Sequence, residues 1–484
     1  MYSEFFKLCG FEAEEVEKES PRIDKAFKIA GIGVKDVERA EERVKKYFDT
    51  ELLGVRQALK IWLRRLIDLV LAREEGKKII VYPSWPPEPR VVSMVAMASE
   101  NVFCETPEIV MDIVMGQIFG KLNPILEAAE EHGLPPGLGM CALNQARVGG
   151  IAKGIVPVPD ITITTSFLCD QTPKTDELLY ELYGVHNIFL DNCMDAAWEE
   201  PMESSPRCVS YFAAEIRKVV EEFEEATGVK LSEEELRDAR VAYAKPVYVY
   251  QEIMGLMKKA DPQPISQVDL GLLYWLIQAP ERRSLQEGLG MANTFLRETK
   301  TRVDAGYAAV EKGSPKIAWF CHHATDPTVM HMVEDLGLAI PVTAVLWTPP
   351  WQRVKSQFTT FAERIADQTV RGGINRSTMG AVRLFQECCK EFNVDGFVYL
   401  YFFSCRPICL TALMAKKGVE DELGIPVLAL EGDVWDTRDY STEALRTRVE
   451  TFAEMLRAAK TARVGQSMPR SLLINPSTQS GISN

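Results

Sequence analysis

Histidine is scarce in this chain, with five among 484 residues. A metal centre would therefore lean on sulfur, and eleven cysteines are there to supply it. Pairs of the C-x₂-C kind that zinc prefers are missing, and Cys405 and Cys409 make only a poor half-site. No apolar run exceeds strand length, so no membrane span is expected. The start, "MYSEFFKLCGFEAEEVEKES", lacks the basic and apolar parts of a secretory signal. A cytoplasmic protein with reduced thiols is the expectation. Basic excess is absent as well. The net charge of −14 argues against a nucleic-acid binder, while leaving room for a small basic pocket.

What is present is an ordinary globular composition, 46% hydrophobic and 26% charged, in a chain too long for one core. Residues 1–76 read as a helical extension, as in "VKDVERAEERVKKYF". The basic, Trp-containing face of "LKIWLRRLIDLVL" also fits a helix lying on a membrane surface. From Lys77 onward, short apolar runs alternate with helical stretches. They include "KKIIVYPSW", "DITITTSFLC", "HNIFLDNC", "KIAWFCHH", "AIPVTAVLW", "GFVYLYFFSC" and "GIPVLALEGD". Such alternation predicts an α/β fold with two doubly wound parallel-sheet domains, at 77–205 and 313–465. A helical segment at 206–312 bridges them, with a capping-box pattern at Ser232 and Glu235. The serine-rich stretch 466–484 reads as a mobile tail.

Cys169, Cys193, Cys321 and Cys405 each fall at or near the carboxyl end of a strand run. Open α/β sheets bind ligands at that edge. Cys141, in "GLPPGLGMCALNQARVGG", follows a Pro/Gly loop and precedes a helical pattern, so helix N-terminal amides would favour its thiolate. Thiolates drawn from separate loops suit iron–sulfur ligation, although the spacing is no compact ferredoxin run and each cysteine also reads as a buried small hydrophobe. Cys388 and Cys389 diverge on one helix and read as structural. A Cys321–His322 catalytic pair is disfavoured, since adjacent residues at a strand end point apart. His322 or His323 would serve as acid or base if one faces the cleft. Ser84 would offer a hydroxyl to a substrate oxygen at the exit of the first strand, or simply end a turn. Glu88 reads as a base or, more readily, a helix cap.

Two stretches, "SFLCDQTPKTDELL" and "DGFVYLYFFSCRPICLTALMAKKGVEDELGIPVLALEGDVWDTRDYSTEALRTRVETFAEML", resemble the 2-hydroxyacyl-CoA dehydratase and benzoyl-CoA reductase superfamily. "GMCALNQARVGG" is similar to that family's earlier cysteine segment and "YPSWPPEPRVVSMV" to its first strand-to-helix element, so the likeness spans roughly 77–465. The resemblance implies three ligands of a 4Fe-4S cluster at Cys141, Cys169 and Cys405, with Arg406 balancing its charge. It implies a low-potential electron entering an acyl-CoA thioester to form a ketyl radical that expels water. It also implies an oxygen-sensitive iron–sulfur subunit working with a homologous second subunit or a second copy of itself. The electron would come from a separate ATP-dependent iron–sulfur activator, because no Walker A loop is present here. Arg147 and Lys153 would meet the CoA phosphates, with Gly149 and Gly150 allowing close approach, or else lie on a solvated helix face. Ile408 and Cys409 depart from the polar residue usual after the Cys-x-Pro step, and "FCHHATDP" from a glycine turn. These departures keep open a benzoyl-CoA-reductase-type subunit, or a double-cubane 8Fe-9S cluster with thiolates from Cys104, Cys321 or Cys409. A non-catalytic electron-transfer or scaffold subunit and a metal-free domain pair are the remaining alternatives. "GDVWDTRDY" reads as a structural closure through Asp436 and Arg438.

Overall fold

The computed structural model describes residues 3–84, 88–135, 140–166, 169–191, 205–279, 281–321, 326–345, 347–372 and 377–467. Among them are two four-stranded sheets, parallel throughout. The first holds β1 (Ile79–Pro83), β2 (Val102–Cys104), β3 (Ile161–Thr165) and β4 (His186–Leu190), in the order β2-β1-β3-β4. The second holds β5 (Lys316–Phe320), β6 (Ala339–Thr343), β7 (Gly396–Tyr401) and β8 (Val427–Glu431), in the order β6-β5-β7-β8. The fold is α/β, as the strand–helix alternation predicts. Several strands are covered on both faces, and every residue of β3 and of β6 is buried, while the edge strands β4 and β8 keep exposed positions.

The two sheets share one topology. In each, the chain steps outward from the first strand to the second, then returns past the first to the third. Strand order therefore reverses between β1 and β3, and again between β5 and β7. A reversal opens a crevice at the carboxyl edge, because the connections leave on opposite faces.

The N-terminal helices Ala13–Ile29, Val34–Tyr47 and Leu53–Leu71 are built into this body. Trp62 is fully buried, its Nε1–H donating to the carbonyl of Leu272 at 3.2 Å. The face that suggested a membrane surface is thus internal, packed on helix Gln267–Gln278. No described helix is long and apolar enough to cross a membrane. In the bridging segment, Ser232 Oγ accepts from the Glu235 amide at 3.2 Å and the Glu235 carboxylate accepts from the Ser232 amide at 2.9 Å, closing the capping box. Helix Phe361–Val370 follows β6 in sequence, yet buries Phe361, Ile365 and Val370 in the core beneath the first sheet.

One close approach fixes the helix that begins after Cys141. A Cβ on Gly149 would stand 1.8 Å from the carbonyl oxygen of Ile125. Helices Asn123–Glu131 and Ala142–Ala152 touch backbone to backbone there. The glycines of "ARVGG" thus serve helix packing: Gly149 meets Ile125, and Gly150 meets Val156.

Candidate cysteine-lined site

Three cysteines begin three helices. Cys141 is the N-cap of helix Ala142–Ala152 and Cys405 the N-cap of helix Arg406–Leu423, both with extended backbones. Cys169 stands one residue before Asp170, the N-cap of helix Gln171–Tyr183. Helix-start amides meet two of the sulfurs, that of Asn144 at Cys141 and that of Ile408 at Cys405, and each opposes the rise that burial imposes on the thiol. Cys169 follows β3 and Cys405 follows β7, at the reversal of each sheet.

Side chains tie these loops together across the two sheets. Gln171 Oε1 accepts from the Cys141 amide at 2.9 Å, while Gln171 Nε2 donates to the carbonyl of Ser404. Asp433, just beyond β8, accepts from Ser404 Oγ at 3.2 Å and, over a long 3.5 Å, from the Ala142 amide. Arg406 pairs with Asp170, joining the residues that follow Cys405 and Cys169. Asn144 Nδ2 donates to Cys141 Sγ at 3.4 Å.

Burial pushes the Cys141 thiol well above its ordinary range, and repulsion from Cys169, Asp433 and Cys405 adds to the rise. Burial pushes Cys405 up to about 12, with the Ile408 amide opposing and Cys169, Asp433 and Cys409 reinforcing. Two neighbouring sulfurs, Cys141 and Cys405, that resist ionisation for want of positive charge suit a site where iron supplies it. Among the described residues, no three His, Cys, Asp or Glu side chains converge tightly enough to hold a single ion. The donor set is three soft sulfurs on separate loops, each at or beside a helix N-terminus, a set whose chemistry fits a polynuclear iron–sulfur group.

Further sulfurs lie nearby. Cys321, directly after β5, adopts φ +61, an uncommon conformation for a residue other than glycine. Cys405 and Asp433 both act on its buried thiol, and Cys409 acts on Cys405. Cys104 is elsewhere, in the core under the first sheet, where burial, Glu281, Ser93, Glu105 and Arg283 govern it. Cys388 and Cys389 are buried in the main core, as the structural reading has it. The two halves also match post for post. Ser84 follows β1 as Cys321 follows β5, Cys169 follows β3 as Cys405 follows β7, and Cys141 caps the helix entering β3 as Ser377 caps the helix entering β7.

Ser84 donates its amide to the Ile163 carbonyl at 2.8 Å, while its buried Oγ has no hydrogen-bond partner among the described residues. Arg147 does not face a cleft. It is 1% exposed, and its guanidinium binds Glu108 at 2.7 Å and Asp176 at 2.8 Å. That departs from a phosphate-facing cation, because two carboxylates already occupy its donors. Lys153 is exposed at the far end of the helix that Cys141 caps, about 16 Å along its axis, so it is not gathered with the cysteines. Arg406 meets Asp170, which leaves its charge largely answered by that carboxylate. His322, His323 and Cys193 lie outside the described residues, and Glu88 opens helix Glu88–Ala96. Arg438 binds Asp436 at 2.8 Å and reaches Glu130 of the first half at 2.7 Å, so "GDVWDTRDY" closes across both halves.

Three residues of this region escape a reading of the sequence. Gln171 and Asp433 act through partners up to 291 positions away. Asp112 sits on a π-helical segment, Met111–Ile118, fully buried, with neither carboxyl oxygen partnered among the described residues. Burial, reinforced by Glu108 and Asp433, pushes its carboxyl well above the ordinary carboxylate range. Helical periodicity carries no sign of a π turn.

Comparison with known proteins bears on the same region. Residues 106–456 match the family model described as 2-hydroxyglutaryl-CoA dehydratase, D-component. The chain is 24% identical over 329 residues to the lactoyl-CoA dehydratase subunit alpha of Anaerotignum propionicum, covering 66% of this chain and 76% of that one. It is 19% identical over 355 residues to the (R)-2-hydroxyisocaproyl-CoA dehydratase alpha subunit of Clostridioides difficile, covering 71% and 83%. It is 19% identical over 304 residues to the (R)-2-hydroxyglutaryl-CoA dehydratase subunit alpha of Acidaminococcus fermentans, covering 63% and 61%. All three site cysteines fall inside the family match, whereas Ser84 and the N-terminal helices precede it.

Proposed function

The chain belongs to the 2-hydroxyglutaryl-CoA dehydratase, D-component family, and from that premise we propose that it is the iron–sulfur subunit of an oxygen-sensitive 2-hydroxyacyl-CoA dehydratase. The observation that carries this reading is the gathering of Cys141, Cys169 and Cys405 at three helix N-termini, tied together by Gln171. A 4Fe-4S cluster on these three thiolates would supply low-potential single electrons to the thioester and, at the iron lacking a protein ligand, Lewis acidity toward a substrate oxygen.

The chain's own residues set the conditions for that chemistry. The helix N-termini hold negative charge at the crevice, where a thioester oxygen gains charge on reduction. Cys141 and Ser404 are buried beside the sulfurs, while Cys169 and Cys405 stay half-buried and open to an incoming molecule. Ser84 Oγ, unpartnered at the end of β1, is available to a hydroxyl or carbonyl oxygen of the substrate. A homologous second subunit and an ATP-dependent activator complete the system, in keeping with relatives named as alpha subunits.

Protein purified without oxygen tests this directly. About four irons and four sulfides per chain are expected, with enoyl-CoA formed from a 2-hydroxyacyl-CoA once partner and activator are added. A colourless, iron-free protein would sink the proposal, and turnover of aromatic acyl-CoA alone would move it to the benzoyl-CoA-reductase type. A second reading rests on Cys321 and Cys409 beside Cys405. A fourth thiolate would saturate the cluster and make the chain an electron-transfer subunit. In that case adding substrate leaves the reduced cluster's resonance spectrum unchanged.

A further inference from the structure

The ties between the cysteine loops are too few and too well aimed to be incidental packing. Gln171 is 4% exposed, Asp433 5% and Ser404 8%, so water does not substitute freely for either side chain. Both ends of the Gln171 amide are committed. Its oxygen takes the Cys141 amide and its nitrogen serves the Ser404 carbonyl, one residue before Cys405. Gln171 itself lies two residues after Cys169. One side chain thus sets three cysteine-bearing segments against each other, its amide supplying the acceptor for one and the donor for another.

Asp433 repeats the span from the opposite side. Its Oδ2 receives Ser404 Oγ and the Ala142 amide, while its Oδ1 is held by the Trp435 amide at 2.9 Å. The Asp433 amide in turn donates to Asp439 at 2.9 Å, which fixes the turn. A carboxylate anchored in this way joins the residue after Cys141 to the residue before Cys405, across the two sheets.

We propose that Gln171 and Asp433 are positioning residues that set the spacing of Cys141, Cys169 and Cys405 across the two halves, and through it the retention and potential of the cluster. The inference rests on the iron–sulfur reading above. Outer residues of this kind orient ligands and tune the metal, and their loss costs on the order of 10–100-fold in metal affinity. Asp433 adds a charge effect, since a nearby negative charge favours the oxidised cluster.

The test uses the full chain purified without oxygen, as wild type, Gln171→Leu, Gln171→Glu and Asp433→Asn. Iron retention is read as the chelator concentration that removes half the iron, beside the reduced cluster's resonance spectrum, its midpoint potential and the thermal midpoint. Gln171→Leu is expected to lower that chelator concentration by ten-fold or more. Asp433→Asn is expected to keep its thermal midpoint while its potential moves upward. Should Gln171→Leu fail to fold, Gln171→Glu decides, because it keeps the acceptor for Cys141 and sets a carboxylate oxygen against the Ser404 carbonyl. Variants that melt earlier but match the wild type in retention, spectrum and potential overturn the inference, leaving a purely structural role. A wild type without iron overturns the iron–sulfur reading and the inference together. An intact, variant-sensitive cluster that fails to dehydrate hydroxyacyl-CoA overturns the reaction alone.

Discussion

Asp269 shows how a single buried carboxyl governs the pH response of the N-terminal packing. It receives the Asp49 amide at 3.0 Å inside helix Gln267–Gln278. Burial first, then repulsion from Asp49 and Glu334, lifts it from an ordinary 3.8 to about 8, against the pull of that amide and of Arg302. Between those values the folded protein holds a proton that the unfolded chain has released. Its contribution to stability is therefore whole below pH 3.8 and drains away as pH rises to about 8. The slope is roughly 1.4 kcal/mol per pH unit within the window. Asp269→Asn keeps an acceptor for Asp49 and removes that slope. Denaturant midpoints at mildly acid and mildly alkaline pH should differ less in the variant than in the wild type, where Asp176 and Asp433, both raised to about 6, leave a remaining slope. At this same scale the sequence told part of the story. A Pro/Gly loop before a helical pattern put Cys141 at a helix start, and the strand run put Cys405 at a strand exit. The partners of Gln171 and Asp433 were hidden, because hydrogen bonds 233 and 291 residues apart leave no local pattern. Arg147 misled for the opposite reason: its neighbours in sequence are polar and glycine-rich, and the carboxylates that neutralise it come from other helices.

Helix Ala142–Ala152 is seated by Gly149, and this contact makes a sharp prediction. Gly149→Ala would drive a methyl into the Ile125 carbonyl, forcing the two helices apart. Overpacking of this kind costs about 1–3 kcal/mol. Since the same helix carries Cys141 at its cap, iron retention should fall along with the denaturant midpoint. Gly150→Ala meets only the end of the Val156 side chain and should be milder. Periodicity served well for elements with both length and contrast. The seven apolar runs all became strands, and the N-terminal amphipathic stretches became helices. It failed on β2, whose three residues Val102–Cys104 are too few to display a period. It failed too on the π-helical turn, where the Phe119 amide reaches back five residues to the Val114 carbonyl.

The whole molecule closes around loops contributed by both sheets, so whatever binds there binds only the folded chain. Ligands of that kind stabilise by mass action, about 4 kcal/mol when present at a thousand times their dissociation constant. Removing iron with a chelator under argon should lower the thermal midpoint by several degrees. Cys405→Ser, prepared the same way, should show little further fall on chelation. Scanning calorimetry distinguishes the two directly, and equal drops would argue against Cys405 as an anchor of the metal. The alternation of short apolar runs with helical stretches foretold the α/β class, and the shortness of those runs agrees with the absence of a membrane-length helix among the described residues. It did not foretell that helix Phe361–Val370 would serve the first sheet, since nothing in an amphipathic stretch names its partner surface.

The matched posts of the two sheets carry a last consequence. At the first-strand exits stand Ser84 and Cys321, at the helix caps Cys141 and Ser377, and at the third-strand exits Cys169 and Cys405. Within each unequal pair, oxygen in one half answers sulfur in the other. At these posts the two halves thus differ by one atom type on a backbone plan used twice.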